Sequence, residues 1–202
     1  MKSLPTLAAA VLGVLTIQSS AAEEPHRRLD AHEHGRGTLN IAVEGDKMTM
    51  ELETPGMDIV GFEHAAKSRR DVEAVEKAKV QLMRPLALFN MPAAAGCHVI
   101  EANVKVEVGE HDHDAKEKPN ASSTESSKVN KNAEAESEGH SEFHAEYTCE
   151  CASTNNITAI EFGYFRVFTG AEKLDINVIT PKGQSKFEAT RVKPNISLAG
   201  MM

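Results

Sequence analysis

The chain has 202 residues, 30 of them acidic and 22 basic, and its formal net charge at pH 7 is -8. This length suits a single domain with one hydrophobic core. The acidic balance argues against a nucleic-acid-binding protein, because no basic cluster is present to neutralise phosphates, and it favours a protein that attracts cations.

The first 22 residues have the features of a cleavable export signal. Lys2 precedes an apolar run over 4–17, and small residues occupy 19–22. The run is shorter than the roughly 20 residues that a membrane-spanning helix needs, and no second apolar stretch follows, so we expect no stable membrane insertion. The sequence therefore predicts a signal peptide at 1–22, a periplasmic location and one mature domain over 23–202.

The first half of the mature chain predicts a hairpin, a helix and a strand. Apolar and polar residues alternate over 38–53, which is typical of a β-hairpin. Apolar residues at near-helical spacing over 62–90 predict the main helix, which Asp71 would cap and Pro85 would stop or kink. A strand is predicted over 99–108.

Residues 109–142 are different in kind, since Val129 is their only large apolar side chain. Such a segment buries too little surface to offset its ordering entropy, so it is predicted to be a disordered insertion between two strands. Order is expected to return beyond it, with strands at 143–150 and 157–162, a short helix at 163–169 and a hairpin over 174–192.

These elements predict an α+β fold, with antiparallel β-hairpins in a sheet, one main helix and a disordered, histidine-rich insertion. Three cysteines, Cys97, Cys149 and Cys151, lie in an exported chain, so one disulfide and one remaining thiol are expected.

The histidines are clustered. Seven of nine lie in three short polar segments: His26, His32 and His34; His111 and His113; and His140 and His144. Neutral imidazole and carboxylate oxygen are zinc ligands. In an extended segment residues i and i+2 point the same way, so each His-x-His pair can hold one ion.

The two isolated histidines, His64 and His98, are less informative, and His98 beside Cys97 is expected to be packed. A histidine-rich loop can also be merely solvated low-complexity sequence. Motifs of zinc proteases, serine hydrolases and phosphate loops are missing. A zinc-dependent hydrolase and a passive zinc or copper buffer remain as alternatives to a zinc carrier.

Several motifs run through nearly the whole mature chain: His32-x-His34-Gly35, Gly61-Phe62-Glu63-His64, and the run from His140 through His144 to Ala145. They resemble the ZrgA-type proteins, zinc-regulated periplasmic proteins of Gram-negative bacteria that are tied to zinc uptake. The resemblance implies capture of Zn²⁺ in the periplasm, in partnership with an inner-membrane zinc transporter.

The resemblance also implies particular residues. The family's cysteines fall at Cys97 and Cys151, with Cys97–Cys149 as the alternative pairing. The motif histidines map to His32, His34, His64, His140 and His144. From ligand chemistry we expect two kinds of zinc site, one tight site held by the folded domain, and a weaker one at the mouth of the insertion formed by His111 and His113.

Overall fold

The computed structural model describes residues 33–109 and 140–202. The predicted signal peptide and most of the predicted insertion lie outside these residues. The main feature is a six-stranded sheet, formed by β1 (Arg36–Glu44), β2 (Lys47–Pro55), β4 (Cys97–Val108), β5 (Ser141–Cys151), β7 (Lys173–Thr180) and β8 (Gly183–Thr190). A smaller sheet consists of β3 (Phe89–Asn90), β6 (Ala159–Phe162) and β9 (Asn195–Ser197).

Within the described residues, four helices connect the strands: α1 (Gly56–Val60), α2 (Arg69–Leu82), α3 (Pro85–Leu88) and α4 (Tyr164–Val167). Short 3₁₀ turns occur at Ala93–Ala95 and Thr154–Asn156. Of these four helices, only α2 has more than five residues. The predicted class of antiparallel hairpins with one main helix agrees with this architecture, in which strand predominates.

The order of strands in the large sheet is β4-β5-β2-β1-β7-β8. All neighbours are antiparallel except β1 and β7, which are parallel with Leu39 opposite Ile176. Both predicted hairpins, β1–β2 and β7–β8, are present. The parallel pair that joins them was not predicted, because neither strand's own sequence specifies a partner so distant along the chain.

The core lies on one face of the large sheet. Alternate residues of the strands, such as Leu39, Met50 and Ile176, are almost fully buried there, as period-two patterning requires. Helix α2 covers part of this face through Ala78 and Leu82. The rest is covered by an aromatic group from the smaller sheet and its neighbours, namely Phe89, Phe162, Tyr164, Phe165 and Phe168. The opposite face of the sheet carries polar and charged side chains.

The predicted helix over 62–90 is wrong in its bounds and its cap. Helix α2 begins at Arg69, and its N-cap is Ser68, whose hydroxyl accepts the N–H of Asp71 at 3.1 Å. Asp71 therefore lies in the first turn, where a carboxylate favours the helix dipole, and it is not the capping residue. Pro85 does mark a break, because it begins the separate short helix α3.

The ordered sheet also takes in both ends of the predicted insertion. Gly109 donates its N–H to the carbonyl of His140 at 2.8 Å, and β5 already begins at Ser141. The predicted bounds of 109–142 are therefore too wide, and residues 110–139 lie outside the described part of the chain. His98, expected to be packed, is exposed on β4.

A disulfide joins Cys97 and Cys151, which lie opposite each other on β4 and β5. This is the pairing that the family resemblance implied, and the alternative Cys97–Cys149 is wrong. Cys149 is a buried free thiol on β5, and burial raises its pKa. The disulfide links the two strands on either side of the long connection, 54 residues apart in sequence.

We predict that replacing Cys97 and Cys151 together by alanine lowers the free energy of unfolding by about 4 kcal/mol, the chain-entropy value for a loop of roughly 55 residues. Cys149→Ala is the matched control, since it also removes a sulfur atom near the disulfide but leaves the cross-link intact. Chemical denaturation of oxidised protein measures both. Equal losses from the double variant and the control would show that the cross-link itself adds nothing.

Candidate metal centre

Two of the predicted histidines come together because three strand ends meet at one edge of the large sheet. The antiparallel pairings place the start of β1, the end of β2 and the start of β5 side by side, with Pro55 opposite Glu142. His34 lies two residues before β1, and His140 lies one residue before β5. The strand pairing thus carries both imidazoles to the same edge.

The carboxylate of Glu63 lies between these two imidazoles. Its Oε1 is 3.0 Å from Nε2 of His34, and its Oε2 is 2.7 Å from Nδ1 of His140. The Glu63 side chain is only 11% exposed, whereas those of His34 and His140 are 55% and 46% exposed. A nearly buried carboxylate is therefore contacted by two rings that still face solvent. We call His34, Glu63 and His140 the edge cluster.

Helix α1 and its flanks bring Glu63 to this place. Gly56 begins the helix directly after β2 and lies so close to β5 that a Cβ there would be 2.1 Å from the hydroxyl oxygen of Ser141. Gly61 ends the helix in the left-handed conformation, with φ of 82°. The chain then turns back, and Glu63 follows two residues later. Glycine is required at position 56, because a side chain would collide with the strand that begins beside His140.

His64 is adjacent to Glu63 in sequence but lies apart from the edge cluster's contacts. Its Nε2 is 3.4 Å from Oδ2 of Asp71, and its ring lies 4.6 Å from that of Phe62. The pKa of Asp71 is lowered, chiefly by the hydrogen bond that involves Ser68 and also by His64. In this structure His64 therefore contacts the first turn of α2.

His144 lies among three acidic side chains on the polar face of the large sheet. Its Nε2 is 3.1 Å from Glu142 and 3.7 Å from Glu107, and its Nδ1 is 3.7 Å from Glu53. These carboxylates come from the three adjacent strands β5, β4 and β2. Of the three contacts, the one with Glu142 is the shortest, and it is an ion pair when the ring is protonated.

The carboxylate of Glu142 raises the pKa of His144 above its ordinary value. Partial burial of the ring opposes this effect, and the negative charges of Glu142, Glu107 and Glu53 add to it. Protonation of His144 is therefore more favourable in the folded protein than in the unfolded chain. The remaining predicted ligands, His32, His111 and His113, lie outside the described residues.

The edge cluster has the donor types that zinc prefers, two imidazole nitrogens and a carboxylate. Its atoms are close for a metal site, because zinc bonds of 2.0–2.1 Å in a tetrahedron separate neighbouring donors by about 3.3 Å. Within 33–109 and 140–202, no three histidine, cysteine or acidic side chains stand in an arrangement that would hold a metal ion as it is.

Sequence reasoning missed Glu63. The predicted ligands are all histidines, and the Gly-Phe-Glu-His motif contributes only His64 to them. The acidic residue of the same motif is the one that the turn after α1 directs toward His34 and His140. The sequence did contain an indication of this role. Each predicted histidine pair has an acidic residue between its members, and Glu63 likewise stands directly beside His64.

Fold and edge cluster together define a small, disulfide-linked, mainly β domain with a histidine–carboxylate group at one sheet edge. No helix in the described part of the chain is long and apolar enough to cross a membrane. The model of the ZrgA family of zinc uptake proteins matches residues 31–198, and the chain belongs to that family. The family description names an uptake role and no reaction. No curated protein matches the chain.

The raised pKa of His144 predicts a pH-dependent contribution to stability. A histidine with a raised folded-state pKa stabilises the fold below its unfolded pKa of about 6.5, and this contribution is lost as the pH rises through the folded value. His144→Gln should therefore lower the free energy of unfolding more at pH 6 than at pH 8.5, measured by urea denaturation of metal-free protein.

Glu142→Gln is the matched variant for this prediction, because it removes the carboxylate with the largest effect on His144. In that background the pH-dependent part of the His144→Gln effect should shrink. A loss of the same size at both pH values in the otherwise unaltered protein would contradict the assigned ion pair.

Proposed function

We propose that this protein captures Zn²⁺ in the periplasm at the edge cluster and passes the ion toward an inner-membrane zinc transporter. His34, Glu63 and His140 would be the domain-held ligands. The observation that carries the proposal is the carboxylate of Glu63, which lies within 3.0 Å of imidazole nitrogens from two different strand ends. Zinc is here the cargo of the protein.

The chemistry of the edge cluster supports an exchange of protons for zinc. A carboxylate that contacts two imidazoles needs protons on the facing nitrogens to make favourable contacts. A zinc ion can bind the same nitrogens and the same carboxylate oxygens once each facing proton has passed to solvent or to the other nitrogen of its ring. Capture requires the two imidazole nitrogens and a carboxylate oxygen of Glu63 to converge on one ion.

The exposure of the two rings favours a site that can release its ion. His34 and His140 are each about half exposed, so the ion would be reached from solvent without opening the core. Structural zinc sites are instead closed by four protein ligands. The formal net charge of -8 further favours the approach of a divalent cation.

The remaining predicted ligands have separate places in this proposal. His32, two residues before His34, is the expected further ligand of the edge cluster. In this proposal Glu63, rather than the predicted His64, is the zinc ligand from the Gly-Phe-Glu-His motif. His111 and His113 are expected to form the weaker site in the insertion, and His144 remains a separate candidate among its carboxylates.

We predict that His34→Ala, Glu63→Ala and His140→Ala each weaken the tightest zinc site by at least roughly 10- to 100-fold, the range seen when residues that only orient zinc ligands are lost. Competition with a chromophoric chelator measures the affinity of the mature protein. His64→Ala is the matched control, because it removes a neighbouring imidazole that contacts Asp71.

A variant that lacks residues 111–139 separates the two kinds of site. It should bind fewer zinc ions while keeping the tightest site intact. If instead this deletion removes the tightest site and the three alanine substitutions change nothing, the edge cluster does not bind zinc. If His64→Ala weakens that site as much as Glu63→Ala does, His64 belongs to the ligand set.

A further inference from the structure

The backbone of Gly35, directly after His34, is held on both sides. Its N–H donates to Oδ1 of Asp58 at 2.7 Å, and its carbonyl accepts the N–H groups of Glu172 and Lys173, each at 2.8 Å. Gly35 has a φ of 83°, a conformation that favours glycine. The hydrogen bond to Asp58 is thus the side-chain contact that holds the amide between His34 and Gly35, in a turn also closed by the N–H of Arg36 bonded to the carbonyl of Glu33 at 3.2 Å.

Asp58 is itself placed with little freedom. It lies in the middle of α1, and the residue is only 2% exposed. A buried carboxylate is costly unless hydrogen bonds compensate it, and a hydrogen bond from an N–H to a charged carboxylate is among the stronger ones in proteins. Asp58 also affects the neighbouring Tyr164. The pKa of Tyr164 is raised chiefly by burial, the hydrogen bond with Thr54 opposes this rise, and the negative charge of Asp58 adds to it.

The same short segment therefore carries two carboxylates with different partners. Asp58 holds the amide next to His34, and Glu63, five residues later, contacts the imidazole of His34. Because α1 and the turn at Gly61 fix the separation of these two carboxylates, they also fix the imidazole relative to Glu63. The hydrogen bond to Gly35 is the link between them.

The open space beside His34 gives this link its importance. Among the described residues, a cavity of about 550 Å³ borders His34 and is lined also by Asp58, Val60, Thr169 and Glu172. A ring beside open space can swing away if its backbone moves. Because the ring has open space on that side, the backbone of Gly35 contributes to its position, together with the contact with Glu63.

From these contacts we infer that Asp58 is the positioning residue of the edge cluster. By holding the N–H of Gly35, it keeps His34 opposite Glu63 and so prepares the pair for a zinc ion that Asp58 need not touch. This inference rests on the proposed function. It attributes part of the zinc affinity of the edge cluster to the buried hydrogen bond between Asp58 and Gly35, neither of which is a zinc ligand.

The test compares Asp58→Ala and Asp58→Asn in the mature, full-length chain. Asparagine keeps an acceptor oxygen of the same reach, and alanine removes it. Three quantities are measured: zinc affinity of the tightest site by chelator competition, the visible absorption of the Co²⁺-loaded protein, which reports ligand geometry, and the unfolding of the metal-free protein.

Thr180→Val is the control for lost stability alone. Thr180 is buried, and its hydroxyl donates to the carbonyl of Met201 at 2.7 Å. It lies at the other end of β7 from the Gly35 contact, roughly 20 Å along the strand. Should Asp58→Ala fail to fold, Asp58→Glu replaces it, since the longer side chain keeps an acceptor but displaces it.

We expect Asp58→Ala to weaken the tightest zinc site roughly 10- to 100-fold and to alter the Co²⁺ spectrum. Asp58→Asn should stay within a few-fold of the unaltered protein, and Thr180→Val should lose stability with an unchanged spectrum. Unchanged zinc affinity in Asp58→Ala, or equal losses in Asp58→Asn and Asp58→Ala, would overturn the inference. An unaltered protein that binds zinc only through residues 111–139 would overturn the proposed function itself.

Discussion

The carboxylate of Glu63 is nearly buried at a sheet edge, and it is stabilised by the imidazoles of His34 and His140. A buried carboxylate without such partners would cost several kcal/mol. Because Glu63 needs these partners, the starts of β1 and β5, the end of β2 and the turn after α1 all converge on its side chain. A divalent cation can compensate the negative charge of Glu63 as the two imidazole N–H groups do, which is why this arrangement is suited to zinc.

The disulfide and the edge cluster lie at opposite ends of the same pair of strands. Cys97 and Cys151 close one end of β4 and β5, and Gly109 and His140 are hydrogen-bonded at the other. The register of β5 is therefore held from both ends, across a ladder from Ser141 to Cys151 whose one irregularity lies between Val99 and Glu101 of β4. His140 keeps its position through the sheet and does not rely on the connection between the two strands.

Much of the fold could be predicted from local pattern. Both hairpins, the strand before the insertion and the strand after it follow from alternation of apolar residues, which specifies the buried face of a strand. The parallel pairing of β1 with β7 could not be predicted, because it depends on a partner more than 130 residues away. The start of α2 was misplaced because Asp71 and Ser68 both have the chemistry of a cap, and only the backbone conformation decides between them.

The edge cluster was predictable only in part. His34 and His140 were named because clustered imidazoles stand out in a sequence, but the choice between Glu63 and His64 depends on how the chain turns after Gly61. Asp58 gave no signal at all, since a lone acidic residue in an apolar stretch does not reveal that its partner is a backbone amide 23 residues earlier.

Anomalous diffraction at the zinc absorption edge, from crystals of the mature protein grown with one equivalent of Zn²⁺, tests the central claim most directly. The edge cluster predicts one strong peak about 2.0–2.2 Å from Nε2 of His34, Nδ1 of His140 and a carboxylate oxygen of Glu63. A strong zinc peak elsewhere, with Glu63 still in contact with both imidazoles, would contradict the account.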